Sequence, residues 1–189
     1  MLPKSIIQKV MNEYLIVVDM QNDFIDGALG TPEAEMIVSR VEARIKKHLE
    51  EKKGPVIFTL DTHSENYMDT AEGKKLPVPH CIKGTTGWKL HPALDAIAEK
   101  ENCRIIEKPI FGSAELGDYL TEQNEKEKIS AVELIGLCTD ICVISNAMII
   151  KSHIPEVPVR VVADCCAGVT PDSHDNALSA MQMCQIDIV

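Results

Sequence analysis

"IGLCTDICVISNA", residues 135–147, joins an apolar run to a stretch with helical character. A strand buried within a parallel sheet reads as continuous apolar sequence and does not need the polar Thr-Asp pair that stands between Cys138 and Cys142. Thr and Asp favour the N-caps of helices. We therefore predict that a strand ends here, that Thr139 or Asp140 caps the helix that follows, and that Cys142 lies in its first turn.

Apolar runs alternate with helix-like stretches along the whole chain of 189 residues. The pattern predicts strands at 14–20, 55–60, 103–107, 131–135, 159–163 and 186–189, and helices at 33–53, 92–100, 115–124, 140–152 and 172–183. This alternation favours a parallel sheet with helices on both faces. Since there is no linker or internal repeat, we predict a single α/β domain over residues 1–189.

Composition excludes several classes of function. The chain has 29 acidic and 19 basic residues and a formal charge of -10; because it also lacks basic clusters, it would repel a nucleic-acid backbone. No apolar run approaches the ~20 residues of a membrane span. Residues 1–10 do not resemble a signal peptide, so we expect a cytoplasmic protein. Its seven cysteines are expected to be mostly free thiols.

Polar residues follow the predicted strands at the edge where open parallel sheets bind ligands. Asp19 ends the first apolar run, Lys108 follows the third, and Cys138 and Cys142 follow the fourth. Taken singly, these are ordinary turn, surface and core residues; together at one edge they indicate cysteine chemistry. Lys108 and a helix N-terminus would favour a thiolate at Cys142, with Asp19 as its base. The N–H groups of Cys138 and Cys142 would face an oxyanion.

The stretch after the second strand, "DTHSENYMDTAEGKKLPVPHC" at residues 61–81, is typical of a metal-binding loop. It offers one carboxylate and two imidazoles: Asp61, His63 and His80. This donor set suits Zn²⁺, Fe²⁺ or Mn²⁺ and leaves coordination positions open. A fourth ligand would be Glu72 or Glu65. The alternative is a polar loop whose histidines form local hydrogen bonds.

Six motifs resemble those of one enzyme family and occur in the same order. They are "VVDMQNDF" (17–24), "DTH" (61–63), "HCIKGTTGWKLHP" (80–92), "EKPIFGSA" (107–114), "GLCTDICV" (136–143) and "VVADCCAGVT" (161–170). They resemble the isochorismatase-like cysteine hydrolases, and within that family the nicotinamidases. The resemblance implies a six-stranded parallel sheet flanked by helices, homo-oligomers, and hydrolysis of nicotinamide to nicotinate and ammonia through a thioester.

The resemblance also implies roles for individual residues. The catalytic residues would be Asp19, Lys108 and Cys142; the oxyanion hole Cys138 and Cys142; the metal ligands Asp61, His63 and His80, with Glu72 as a fourth; and the apolar pocket walls Phe24 and Phe111. A cis peptide bond would join Leu137 to Cys138. One divalent ion is expected, with zinc first and iron or manganese as alternatives.

Two departures from the family pattern keep other functions open. Residues 76–79 are Leu-Pro-Val-Pro, where nicotinamidases often have an aromatic residue, and Glu115 stands where the family often has Phe. One alternative is therefore a cysteine hydrolase of another small amide or carbamoyl compound. Another is a non-catalytic metal-binding or redox-sensing module. True isochorismatases typically lack the nucleophilic cysteine, so Cys142 argues against that activity.

Overall fold

A computed structural model describes residues 12–189, in which a six-stranded sheet lies between two layers of helices. The strands are β1 Glu13–Val18, β2 Val56–Asp61, β3 Arg104–Lys108, β4 Ala131–Leu137, β5 Val159–Ala167 and β6 Asp187–Ile188. The helices are α1 Asn22–Ile25, α2 Pro32–Glu50, α3 Pro92–Lys100, α4 Ala114–Lys126, α5 Ile144–His153 and α6 Pro171–Met183. The α/β class is confirmed, while our expectation for residues 1–10 lies outside the described residues and the domain extent of 1–189 stays a prediction.

The strand order is β3-β2-β1-β4-β5-β6, and every neighbouring pair is parallel. The chain winds outward from β1 in one direction, then returns to add β4 on the other side of β1. In such sheets a crevice opens beyond the carboxyl ends of the two strands where the order reverses. Here that crevice lies beyond β1 and β4, the strands that precede Asp19 and Cys142.

Alternate residues of β1 face opposite layers of helices. Leu15 and Val17 belong to the apolar core that includes α2 and α3, whereas Ile16 and Val18 belong to the core that includes α4, α5 and α6. All four side chains are fully buried. A central strand covered on both faces must be apolar throughout, which accounts for the continuous apolar run in the sequence.

The longest helix, α2, shows how the sequence sets a helix boundary. Thr31 accepts a hydrogen bond from the Ala34 N–H through its side chain, and a proline follows at the first helical position. Ile37, Val41 and Ile45 then form the buried stripe. Within residues 12–189, neither α2 nor any other helix is both long enough and apolar enough to cross a membrane.

The helix predicted after β4 differs in form. A π-helical turn, Thr139–Val143, precedes α5, so Cys142 lies in this turn and not in the first turn of an α-helix. The residue in the N-cap position is Cys138, with no side-chain cap. The prediction that Thr139 or Asp140 caps the helix was therefore wrong.

Thr139 and Asp140 instead anchor the turn to its neighbours. Thr139 Oγ1 lies 2.7 Å from Nδ1 of His174 in α6. Asp140 Oδ1 accepts a hydrogen bond of 3.1 Å from the Val169 N–H, which lies between β5 and α6. Thr139 and Asp140 thus hold the turn that carries Cys142 by bonding to His174 and Val169. These partners are distant in sequence, so the local sequence could not identify them.

Gly136 generates the first prediction. It has φ of 116° and pairs with Val18, and a Cβ there would lie 2.2 Å from the Val18 carbonyl oxygen. Gly136→Ala adds a steric clash to backbone strain, so we expect a loss of about 3–5 kcal/mol in the free energy of unfolding. Urea unfolding followed by circular dichroism measures it.

Gly84→Ala is the matched control, because Gly84 also has positive φ but has no heavy atom within 4 Å of the added Cβ. It should lose only about 1–3 kcal/mol from backbone strain. Equal losses in the two variants would contradict the clash at Gly136.

Candidate active site and metal centre

The ends of β1, β3 and β4 bring together the aspartate, lysine and cysteine predicted from the sequence. Lys108 Nζ lies 2.7 Å from Asp19 Oδ2 and 3.5 Å from Cys142 Sγ. Asp19 and Lys108 are both almost completely buried. The three groups form one connected cluster at the crevice beyond the sheet, as the strand-end argument required.

Thr59 fixes the carboxylate of Asp19. Its hydroxyl donates a hydrogen bond of 2.6 Å to Asp19 Oδ1, and its carbonyl accepts one of 3.2 Å from the Asp19 N–H. One carboxylate oxygen is thereby held by Thr59 and the other faces Lys108. Sequence analysis did not identify Thr59, since it lies inside an apolar strand; a hydroxyl at a fully buried strand position was the available signal.

Burial dominates the pKa shifts of the two acidic groups in the cluster, Asp19 and Cys142. It raises the pKa of Asp19 despite the opposing charge of Lys108. It also raises the pKa of the Cys142 thiol, and the Asp19 carboxylate adds to this more than Lys108 subtracts. Burial alone would lower the pKa of Lys108, but the surrounding acidic groups outweigh it and raise that pKa. The expectation that a helix N-terminus and Lys108 keep Cys142 as a thiolate is therefore corrected: the resting group is a thiol.

Beside this cluster, Asp61, His63 and His80 converge on one point. Asp61 Oδ2 lies 2.9 Å from His63 Nε2 and 3.5 Å from His80 Nε2, and the three ligand atoms are all within 4.8 Å of one another. Although burial opposes ionisation of Asp61, the adjacent imidazoles of His63 and His80 and the charge of Lys108 hold its pKa below the usual range. The carboxylate is therefore ionised.

The geometry fits a divalent metal ion. A tetrahedral ion with bonds of ~2.0 Å separates its ligand atoms by about 3.3 Å, within the observed spread. His80 Nδ1 lies 2.9 Å from the Val78 carbonyl oxygen and donates to it, which leaves Nε2 as the nitrogen that a metal ion would bind in the neutral ring. Among residues 12–189, His63 Nε2 has no partner in hydrogen-bond geometry. Local hydrogen bonding of the histidines does not account for these two converging nitrogens.

Of the two acids considered as a fourth ligand, Glu72 lies near the group and Glu65 is exposed. Glu72 Oε1 is 3.8 Å from His63 Nε2 and 3.7 Å from His80 Nε2. Burial raises the pKa of Glu72. Its carboxyl group is thus near both histidines, and coordination by Glu72 stays a prediction.

Two residues of the first motif hold the metal-binding segment in place, although sequence analysis assigned them no role. The Gln21 side chain accepts a hydrogen bond from the Asp61 N–H at 2.7 Å and donates to the Asp61 carbonyl at 2.8 Å and the Trp88 carbonyl at 2.7 Å. Asp23 accepts one of 2.7 Å from the Cys81 N–H, next to the second histidine. The only sequence signal for these two roles was the presence of an amide and a carboxylate side chain just after β1.

Cys138 begins the turn that carries the nucleophile candidate. The Leu137–Cys138 peptide bond is cis, as the resemblance implied. The Cys138 carbonyl accepts hydrogen bonds from the N–H groups of Ile141 and Val143 at 3.1 and 3.0 Å. The carbonyl is thus engaged within the turn, and an oxyanion role for the Cys138 N–H stays a prediction.

Asn146, another residue that sequence analysis missed, ties this turn to the loop after β3. It is fully buried, and its side chain donates hydrogen bonds to the carbonyls of Cys142 at 2.8 Å and Phe111 at 3.2 Å. Its Oδ1 accepts one of 3.0 Å from the Ser113 N–H. The backbone carrying Cys142 and the loop that follows Lys108 are therefore locked together by one amide group.

A cavity of about 320 Å³ opens onto both clusters. Cys138 and Cys142 line it together with the two predicted aromatic walls, Phe24 and Phe111. The Phe24 ring lies 5.5 Å from the His80 ring. The cavity therefore places a small bound molecule in contact with the thiol and with the metal-ligand group at the same time.

Comparison with known proteins identifies the family of this chain. A model of the isochorismatase domain matches residues 13–188. The chain belongs to the isochorismatase family. This family member is 28% identical to the nicotinamidase/pyrazinamidase of Mycobacterium tuberculosis, over 93% of this chain and 97% of the relative.

Solved structures of similar proteins share the fold. The pyrazinamidase/nicotinamidase of Streptococcus mutans aligns with a TM-score of 0.80 and 29% identity, covering 94% of this chain and 100% of that one. The pyrazinamidase of Pyrococcus horikoshii, solved in complex with zinc, aligns with a TM-score of 0.74 and 28% identity, covering 94% and 98%. The isochorismatase-like hydrolase fold is thereby confirmed.

The converging nitrogens generate the second prediction. We expect the purified protein to hold about one divalent metal ion per chain, and His80→Ala to lose most of it because only two ligands of the group would remain. Inductively coupled plasma mass spectrometry after dialysis measures the content. His153→Ala, at a partly exposed histidine of α5, is the control and should keep its metal. Equal content in the two variants would place the ion elsewhere.

Proposed function

We propose that this protein is a metal-containing cysteine amidohydrolase, a nicotinamidase that converts nicotinamide and water to nicotinate and ammonia. The observation that carries the proposal is the contact of Lys108 Nζ with both Asp19 and Cys142, next to the metal-ligand group. Cys142 and two members of that group, Asp61 and His80, line one cavity. The relatives named nicotinamidase or pyrazinamidase, which align over almost the whole chain, support the choice of a small aromatic amide.

Acylation begins from the resting thiol. As Cys142 Sγ attacks the carboxamide carbon, its proton passes to the Asp19 carboxylate, whose raised pKa makes it a stronger base than an exposed aspartate. The carbonyl electron pair moves onto oxygen, where the N–H groups of Cys138 and Cys142 donate hydrogen bonds. The oxyanion then collapses, the C–N bond breaks, and the Asp19 proton leaves with ammonia.

In deacylation, water replaces Cys142 as the nucleophile and sulfur becomes the leaving group. Asp19 takes a proton from water, the hydroxide oxygen attacks the thioester carbon, and the C–S bond breaks to release nicotinic acid, which loses its own proton to solvent and becomes nicotinate. The Asp19 proton returns to the sulfur, which restores the resting state. Lys108 stays protonated throughout and stabilises negative charge as it moves between Asp19 and Cys142.

Asp61, His63 and His80 would hold the metal ion, with Glu72 as the proposed fourth ligand and zinc as the proposed ion. When bound, the ion would supply a coordination position for the pyridine nitrogen and so orient the ring. Phe24, whose ring lies beside that of His80, would contact one side of the pyridine ring. We also propose that the protein is cytoplasmic and forms homo-oligomers; both proposals rest on the sequence alone.

A non-catalytic metal or redox module is disfavoured by the buried charges. Burying an ion pair costs several kcal/mol per ion unless geometry and further contacts compensate. Asp19 and Lys108 are at most 1% exposed, yet metal binding or disulfide formation would need neither of them. Their position against a thiol is accounted for by proton transfer.

The third prediction concerns the nucleophile. The wild-type protein should release ammonia from nicotinamide, and Cys142→Ala should abolish the release because no thioester can form. A coupled ammonia assay measures it. Cys184→Ala, which removes an exposed thiol, is the control and should retain full activity. Failure of the metal-loaded wild type to release ammonia would reject nicotinamide as substrate.

The fourth prediction concerns the base. Asp19→Asn keeps the shape of the side chain but removes the proton acceptor, so kcat should fall by about 10²–10⁴-fold. Metal content should remain at the wild-type level, since Asp19 is not among the ligands. Asp118→Asn, at an exposed helical position, is the control. Wild-type kcat in Asp19→Asn would show that another group accepts the thiol proton.

A further inference from the structure

The cavity lined by Cys142 and the metal-ligand group also has apolar walls, several of which are exposed to solvent. Five side chains, here called the apolar mouth, line this part: Leu29, Leu76, Phe111, Ile141 and Val169. Three of them are unusually exposed for large apolar residues, with Leu76 at 37%, Phe111 at 38% and Val169 at 50%. Exposed apolar groups gathered around one opening mark a surface that a ligand covers.

The mouth is built from separate parts of the chain. Leu29 precedes α2, Leu76 lies in the metal-binding loop, Ile141 lies in the π-helical turn and Val169 precedes α6. Segments that are far apart in sequence thus each contribute an apolar side chain to one opening. Leu76 also belongs to the Leu-Pro-Val-Pro stretch in which the expected aromatic residue is missing.

The cavity is larger than the ring of nicotinamide requires. A cavity of about 150 Å³ is enough to bind benzene. The volume here, about 320 Å³, is roughly twice that and leaves space beyond a pyridine ring and its carboxamide. Because that space adjoins the apolar mouth, its occupant should be apolar.

We propose that the apolar mouth binds an uncharged, apolar substituent on the substrate ring, so that the favoured substrates are substituted pyridine-3-carboxamides. This rests on the proposed function. With the carboxamide at Cys142 and the ring nitrogen toward the metal-ligand group, C2 lies between the two anchors. C5 is opposite C2 and therefore points away from both anchors, and the proposal places its substituent against the apolar mouth.

Charge limits the class of substituent. Among residues 12–189, those that form the mouth carry no charged side chain, and the acids that line the same cavity are Asp61 and Glu72. An anionic substituent would leave water without gaining a cationic partner. An alkyl group would bury apolar surface against Leu76 and Val169 instead.

The test compares nicotinamide, 5-ethylnicotinamide and 5-carboxynicotinamide. Titration calorimetry with Cys142→Ala should give a Kd about five- to tenfold lower for the ethyl compound than for nicotinamide, since each buried carbon is worth up to roughly fourfold. The carboxylate should bind more weakly than nicotinamide. In the wild-type protein, KM should follow the same order.

Leu76→Ser with Val169→Ser should remove most of the advantage of the ethyl group, measured as the ratio of the two Kd values. Met183→Ser, at an exposed residue of α6, should leave the ratio unchanged. Equal or weaker binding of 5-ethylnicotinamide to Cys142→Ala would overturn the proposal, and so would an unchanged ratio in the double variant. If wild type releases no ammonia from either amide, the proposed function fails, while the Kd ratio still decides the role of the mouth.

Discussion

The site depends on a buried ammonium group that lies between two buried carboxyl groups. Lys108 Nζ lies 2.7 Å from Asp19 Oδ2 and 3.5 Å from Asp61 Oδ1. Without it, two like charges would share a region of low dielectric, and one of the acids would have to take up a proton. Lys108 therefore links the half of the site that contains the thiol to the half that contains the metal ligands.

Strand order explains how these groups meet. A parallel sheet places the carboxyl ends of all its strands at one edge, and the return from β3 to β4 opens the crevice at the middle of that edge. Gly136, close to the end of β4, lets its strand approach the carbonyl of Val18 at the end of β1. Gly136 and Val18 pair near the ends of β4 and β1, so their close approach also brings together the segments that carry Cys142 and Asp19. Fold and chemistry are constrained at the same residues.

Sequence could predict what periodicity and strand ends encode, and could not predict contacts made across the fold. The apolar runs gave all six strands, and their ends located Asp19, Lys108 and Cys142. The form of the turn around Cys142 escaped prediction because its anchors, His174 and Val169, are distant in sequence. Gln21, Thr59 and Asn146 escaped for the same reason: each is a polar residue whose partners become visible only when separate strands and loops are assembled.

The same limit explains the error over the thiolate. From sequence, a cysteine near a lysine and a helix start is expected to have a low pKa, because both features are positive. Burial reverses this, since removing water penalises the charged form more than Lys108 stabilises it. The consequence suits the chemistry: a protonated Cys142 is shielded from unwanted nucleophilic reactions until a substrate enters, and a carboxylate of raised pKa is already beside it to take the proton. An apolar cavity then serves two purposes, because the surfaces that exclude water from the thiol are the surfaces that a substrate ring contacts.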